Sequence, residues 1–246
     1  MTNTNADLYD ETLARVYDAM YSNPADDAAR LDFFAGLTPD SGSFCDLGAG
    51  TGTIVAAMSE RGFSAVGVDN SPAMLRRFRD RIAGTNAEAV EADMFTLQLG
   101  RQFDTVTLVT NTFYIALTQD RQLQLLQAAL AHLHENSTLV VEAFDPVRFH
   151  AAVKPELSIR YLSESDAIID DYVVDPAQQL LVARHTLLGQ SGPDVRSHVI
   201  RYAFVSEMFL LARCVGLEVT GVFRDWGGTP YGQGAQRYVL TMRRAR

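Results

Sequence analysis

The chain has 246 residues, 47% hydrophobic and 21% charged, with a net charge of −9. That length suffices for one α/β domain with an insertion, and the acidic balance argues against a nucleic-acid partner, which needs a basic face. No apolar run reaches the roughly eighteen residues of a membrane span, the opening Met1–Asp7 is polar without a signal-peptide core, and two cysteines make no disulfide framework, so the expected compartment is cytoplasmic.

Apolar and aromatic residues at 9, 13, 16, 17, 20 and 21 predict an amphipathic helix over residues 8–21. It is either a packing helix or a lid whose tyrosines close over a site. A second helix is expected over 25–37, stopped by Gly36 and Pro39, and residues 1–40 together read as N-terminal lid helices. Phe44, Cys45 and Leu47 then form a short strand that enters a loop with glycines at 48, 50 and 52, and Thr53 opens a helix. Such a turn lets backbone approach a ligand closely. Strands follow at Ala65–Asp69, Ala89–Glu91, Phe103–Thr110 and Thr138–Phe144. Between them lie a helix capped by Ser71 and opened by Pro72, running to Ile82, and another over 119–133. This alternation predicts a Rossmann-like α/β fold with a doubly wound, mostly parallel sheet.

Beyond Phe144 the period changes. Short alternating runs at 157–162, 167–174, 180–188 and 196–204 leave no room for helices and predict antiparallel strands. We read 151–204 as an inserted β lid within a single domain spanning 1–246. A helix over 205–215, a strand over 218–223 and a last strand over 236–242 complete the chain. Cys45 in the first strand and Cys214 in the late helix both read as buried, small apolar residues.

Two ligands compete for the glycine loop. Dinucleotide loops use Gly-x-Gly-x-x-Gly against a pyrophosphate. Here the spacing is Gly48-x-Gly50-x-Gly52, with Asp46 two residues before the first glycine. A carboxylate there would repel a pyrophosphate but suits an ammonium group. Asp69 ends the second strand, where it can accept both hydroxyls of a ribose. Asp93 ends the third, placed for an adenine amino group, with the Met94 N–H beside the ring. Taken singly, Asp46 could cap the loop, Asp69 could cap the next helix and Met74 could be core. In order, they suit a cationic nucleoside better than a nicotinamide dinucleotide.

Asp46-Leu-Gly-Ala-Gly-Thr-Gly52, Gly67-Val-Asp69-Asn-Ser-Pro-Ala-Met74 and Glu91-Ala-Asp93-Met94 resemble the successive motifs of class I S-adenosylmethionine-dependent methyltransferases. The resemblance implies a seven-stranded sheet with the last strand antiparallel, and S-adenosyl-L-methionine as cofactor. It implies that Gly48, Ala49 and Gly50 line the methionine part, Asp69 and Asn70 the ribose, and Asp93 with Met94 the adenine, with Met74 on its face and Thr110 nearby. The stretch Ala14–Tyr21 is similar to the opening helix of small-molecule N-methyltransferases of the glycine and aminosugar type. In those, N-terminal tyrosines (here Tyr17 and Tyr21) cover the cofactor and a β insertion roofs the substrate.

Methyl transfer from a sulfonium needs alignment above all. An amine acceptor need only arrive neutral, whereas a hydroxyl wants a base, usually His. His185 and His198 on the insertion are the candidate catalytic residues, with Tyr17. Candidate substrate contacts are Asn111 and Tyr114 after the fourth strand, and Arg148, Arg184, Arg201 and Tyr202 around the insertion. If the strand over 196–204 alternates, His198, Ile200, Tyr202 and Phe204 share one face and Arg201 the other. Arg148, Arg160, Arg184 and Arg201 are either a solvated face or a clamp for a carboxylate or phosphate. His132 and His134 sit near a helix end, where a cation suits the dipole. No metal-ligand spacing is present, and no metal is expected. The expected partner is a small-molecule methyl acceptor, and the lid sheet or first helix offers a face for a homodimer. A methyltransferase-like regulatory subunit without catalysis is the alternative from another class.

Overall fold

The computed structural model describes residues 9–21, 23–151, 156–164, 166–189 and 192–245. The reading of Met1–Asp7, Leu8 at the start of the first helix, and parts of the inserted segment at 152–155, 165 and 190–191 lie outside the described residues.

Among the described residues two sheets form. The larger contains β1 (Ser43–Leu47), β2 (Ser64–Asp69), β3 (Glu88–Glu91), β4 (Phe103–Leu108), β5 (Leu133–Phe144), β10 (Leu217–Phe223) and β11 (Arg237–Arg244). Its order is β10-β11-β5-β4-β1-β2-β3. β11 runs antiparallel to both its neighbours, β10 and β5, while β1 to β5 pair parallel. The seven-stranded, last-strand-antiparallel arrangement expected of the sequence is the one observed. The smaller sheet is fully antiparallel and follows β5: β6 (Glu156–Tyr161), β7 (Ala167–Asp175), β8 (Leu180–Gly189) and β9 (Gly192–Arg201).

The strands of a sheet covered on both faces must be apolar on both. β1 does this by alternation. Phe44 packs on one face with Phe34, Val55, Phe78 and Trp226, under α2 (Pro24–Leu37), α3 (Thr53–Glu60) and α4 (Pro72–Arg81). Cys45 and Leu47 join the other, with Phe113, Leu125 and Leu211, under α5 (Gln119–Ala131) and α7 (Val205–Cys214). α4 begins as its sequence dictates: Pro72 leads it, and the Ser71 hydroxyl accepts from the Met74 N–H at 3.2 Å. The Thr118 hydroxyl likewise accepts from the Arg121 N–H at the start of α5.

Several boundaries differ from the sequence reading. β4 stops at Leu108, not Thr110, because the chain turns left-handed at Thr110 (φ 57°) and Asn111 (φ 63°) and enters a single 3-10 turn, Thr112–Ile115. α5 ends at Ala131, and β5 begins at Leu133, with a register shift between the pairs Phe103–Leu133 and Thr105–Thr138. β9 begins earlier and ends at Arg201, so Tyr202 and Phe204 leave the strand. A one-turn helix, α6 (Val147–His150), follows β5. Cys214 is exposed at the end of α7, while Cys45 is buried. No helix among the described residues is long and apolar enough to cross a membrane.

Between β1 and β4 the strand order reverses, β1 leading to β2 and β3 on one side and β4 to β5 on the other. A crevice opens beyond the carboxyl ends of the strands at such a point. Here the smaller sheet covers it.

Candidate active site

A cavity of about 250 Å³ occupies that crevice. Its floor is the carboxyl end of the large sheet: Gly48 and Gly50 after β1, Asp69 and Asn70 after β2, Met94 after β3, and Thr110 and Asn111 after β4, with Met74 from α4. Its roof is the inner face of the small sheet, with Arg160, Tyr172, His185, His198 and Ile200. α1 (Glu11–Tyr21) closes one side with Tyr17 and Tyr21, and Tyr9 precedes it.

Asp69 is tied to the loop it faces. One carboxylate oxygen accepts the Gly50 N–H and the other the Ser71 N–H, each at 2.8 Å. Burial raises its pKa nonetheless, against those backbone hydrogen bonds. Asp46 lies beneath the loop, 3% exposed, and accepts from the Thr107 hydroxyl at 2.6 Å. Burial pushes its carboxyl up to about 7, the Thr107 bond opposing it. A carboxyl held above its unfolded value stabilises the fold only while protonated. That contribution is complete below pH 3.8, its ordinary value, and is lost as pH rises through about 7. Without ligand, Asp46→Asn should therefore gain Tm relative to the wild type between pH 4 and 7, and thermal denaturation at both pH values checks it. A cation bound over the loop should shrink the difference.

The turn after β4 is held to β5 by two side chains, one from β5 and one from the turn itself. Glu142 of β5 accepts the Thr110 N–H at 2.7 Å, and the Asn111 side-chain oxygen accepts the Phe144 N–H at 2.8 Å. A β-branched residue in the left-handed region costs on the order of 1–3 kcal/mol, and these bonds hold Thr110 there.

α1 and the residue before it are fastened to the glycine loop, to α4 and to the small sheet. Asp18 accepts from the Thr51 hydroxyl and from Arg81, each at 2.5 Å. Arg160 of β6 donates to the Met20 carbonyl at 2.7 Å, and Arg196 of β9 pairs with Asp10 at 2.6 Å. Tyr17 lies over Gly50 so closely that a Cβ there would stand 3.4 Å from its ring. Tyr17 also packs on Tyr21, with ring centroids 4.7 Å apart. Burial pushes the Tyr17 hydroxyl well above its ordinary range.

Cross-strand register places the polar groups of the roof. Asp170 of β7 stands directly opposite His185 of β8, and its carboxylate meets His185 Nδ1 at 2.6 Å and Arg160 Nε at 2.9 Å. His198 of β9 stacks on His185, with ring centroids 5.1 Å apart. Burial, reinforced by His185, lowers the His198 pKa to about 4. His185 Nε2 and His198 Nδ1 are buried without a hydrogen-bond partner among the described residues.

Of the residues singled out from the sequence, Tyr17, Tyr21, Gly48, Gly50, Asp69, Asn70, Met74, Met94, Thr110, Asn111, His185 and His198 line the cavity. Others do not. Ala49 turns its methyl group toward Gly67, and Asp46 is covered by the loop. Asp93 is exposed and accepts the Phe95 N–H. The Tyr114 hydroxyl is buried against the Phe144 and Ala203 carbonyls. The Tyr202 hydroxyl meets His150 Nδ1 at 2.9 Å. Arg201 is buried among Gln122, Gln179 and Glu207, binding elements together rather than facing a ligand. Arg184 is exposed and paired with Asp171 on the outer face, and Arg148 is exposed with its guanidinium 5.5 Å from the Phe149 ring. His132 is no helix-end cation: it bridges the Ala128 carbonyl and the Leu99 N–H, one ring nitrogen accepting. Of the four arginines named from the sequence, Arg160 reaches the cavity, and Tyr9 joins the other two lid tyrosines there; the sequence reading passed over Phe144, Phe149, Tyr172 and, behind the wall, Asp170. Alternation within β7 and β8 was visible, but which parity faced inward was not.

Residues 44–136 match the family model described as a methyltransferase domain. Over 96% of its length the chain is 29% identical to cypemycin N-terminal methyltransferase from Streptomyces sp, covering 98% of that protein. The fold superposes on the CcbJ methyltransferase from Streptomyces caelestis with a TM-score of 0.88 at 25% identity, over 97% of this chain and 98% of that one. It also superposes on CalS10 from Micromonospora echinaspora, an amino pentose methyltransferase solved with S-adenosylmethionine bound, with a TM-score of 0.70 at 23% identity, over 95% and 98% of the two chains. Fold, loop and likeness together support a class I S-adenosylmethionine-dependent methyltransferase.

Proposed function

We propose that this enzyme methylates the amino group of a small molecule or short peptide that carries apolar or aromatic substituents. The observation that carries the reading is a pair of imidazole nitrogens, His185 Nε2 and His198 Nδ1, buried on two stacked rings that line the cavity and without a hydrogen-bond partner among the described residues. Buried polar atoms left unpaired are costly, and a ligand donor would satisfy them. Next to them stand Phe144, Phe149 and Tyr172, an aromatic wall. The full-length likeness to an N-terminal methyltransferase supports an amine.

The cofactor half of the cavity fits S-adenosylmethionine on its own chemistry. Asp46 is a carboxyl buried beneath the loop, and a positive charge bound above the loop would favour its ionised form, as Arg30 does. Gly48 and Gly50 leave room at the loop for the methionine part, Asp69 and Asn70 take the ribose, and Met74 with Met94 flanks the adenine. When bound, the cofactor supplies a sulfonium methyl group open to in-line displacement. α1 and the four-stranded sheet act as lids, Tyr17 and Tyr21 excluding water from above.

An amine is protonated at neutral pH and needs a base before it can react. His185 Nε2 takes that proton, and His198, kept neutral by burial, accepts a second N–H to fix the nitrogen. The test is transfer of labelled methyl groups to a panel of 2-phenylethylamine, a tripeptide with a free apolar N-terminus, an amino sugar and the matching alcohols. Amines should be methylated and alcohols left alone. His185→Gln should lower kcat by roughly 10²–10⁴-fold, with cofactor affinity unchanged by calorimetry. Methylation of the alcohols alone would defeat the reading.

A further inference from the structure

We propose that Asp170 is the positioning residue of this site: clamped by Arg160, its carboxylate holds the His185 ring so that Nε2 presents a lone pair to the acceptor's ammonium group. The inference rests on the reading of His185 as the base and adds a residue that does not itself face the cavity.

Three observations carry it. First, the geometry is built across strands. Asp170 stands opposite His185 in the β7–β8 ladder, while Arg160 of β6 and His198 of β9 each lie two residues along from the direct pair. The four side chains form one diagonal across the inner face of the sheet, at the separations over which such neighbours interact. Second, Asp170 is 1% exposed and has both oxygens engaged, one by His185 Nδ1 and one by Arg160 Nε. An ionised carboxylate only accepts, so Nδ1 must carry the proton in this pair, and Nε2, unpartnered at the cavity wall, carries the lone pair. Third, Arg160 also donates to the Met20 carbonyl at 2.7 Å, near the end of α1. The clamp on Asp170 is complete only with α1 seated, which ties the orientation of the base to closure of the helix.

Burial alone would push the Asp170 carboxyl up, but the hydrogen bonds from His185 and Arg160 outweigh it and hold it below the usual carboxylate range. It therefore stays an acceptor throughout. In the proton step, an N–H bond of R–NH3⁺ breaks and an Nε2–H bond forms, giving R–NH2 and an imidazolium whose Nδ1–H remains on Asp170. The proton leaves to solvent when product departs. The titratable and charged groups around the ring are Arg160 of β6, Asp170 and Tyr172 of β7, His198 of β9 and Tyr21 of α1. Of these, Asp170 favours the imidazolium and Arg160 opposes it.

The experiment is ¹⁵N NMR of histidine-labelled full-length protein with S-adenosylhomocysteine bound, titrated with pH, and His185→Gln identifies the signals. The wild type should show the Nδ1–H tautomer at His185. Asp170→Asn should lose that preference and titrate at lower pH. Arg160→Gln should keep the tautomer and titrate at higher pH. A purely structural role for the cluster would not move the titration in opposite directions. An Nε2–H tautomer in the wild type, or an unchanged one in Asp170→Asn, overturns the proposal. If Asp170→Asn does not fold, the upward shift in Arg160→Gln, a partly exposed residue, decides it, and no shift overturns it. An amine panel left unmethylated while the tautomer is as stated overturns the amine reading and not the role of Asp170.

Discussion

Asp69→Ala should weaken S-adenosylhomocysteine binding by roughly 100-fold or more. In the proposed reading the carboxylate accepts two ribose hydroxyls, and hydrogen bonds to a charged group are worth about 1.5–3 kcal/mol each, so their joint loss approaches two or more decades in Kd. The substitution does more than delete a ligand contact. The Gly50 and Ser71 N–H groups, both now bound at 2.8 Å, lose their acceptor. The glycine loop and the start of α4 would loosen together. Asp69→Asn keeps one carbonyl oxygen for those donors and should fall between alanine and the wild type. Isothermal titration calorimetry on the three proteins gives the order, and an alanine variant within threefold of the wild type would remove Asp69 from the ribose.

The largest effect on stability should come from Gly52→Ala. Gly52 has φ 76°, where an L side chain is strained, and a Cβ built on it would stand 2.0 Å from Phe78 Cδ2. Phe78 cannot step aside, because its ring is fully buried and fills the space between α4 and the sheet, also meeting the backbone of Gly67. Left-handed strain costs about 1–2 kcal/mol and overpacking typically 1–3 kcal/mol, for a sum of roughly 2–5 kcal/mol. Urea unfolding would show it as a lower midpoint at unchanged slope. Gly62→Ala is the control for backbone strain alone: its φ is 92°, and nothing lies within 4 Å of the added carbon. A Gly52 variant no less stable than the Gly62 variant would mean that Phe78 repacks.

The parts of the fold legible in the sequence were those that one strand or helix dictates by itself. Phe44–Leu47, the glycine turn, the Ser71 cap and the acid at the end of β2 are local, and each was found where the pattern placed it. The four antiparallel strands were equally plain from their alternation. What was not legible depends on residues distant in sequence. The left-handed pair Thr110–Asn111 exists because Glu142 and Phe144 supply its hydrogen bonds, so β4 looked two residues longer than it is. β5 takes in the polar stretch His134–Ser137 because the Ser137 hydroxyl bonds the Phe103 carbonyl and His134 reaches Asp104. Arg201 looked like a substrate clamp and is spent on Glu207 and two glutamines, while Arg160, one of four similar arginines, faces the cavity. Strand parity decided that difference, and parity needs a register that only pairing supplies. For the same reason the sequence offered both histidines and gave no sign of Asp170.

Trp226 is the single tryptophan of the chain, 3% exposed, with its ring 5.3 Å from Phe34 and 5.6 Å from Phe33. It packs with α2 and does not line the cavity, whereas Tyr9, Tyr17 and Tyr21 do. Indole emission therefore follows the seating of α2 and global unfolding, from a ring that lies outside the cleft. Denaturation can be watched through that one residue, without a label and with no ring of the cleft in the signal.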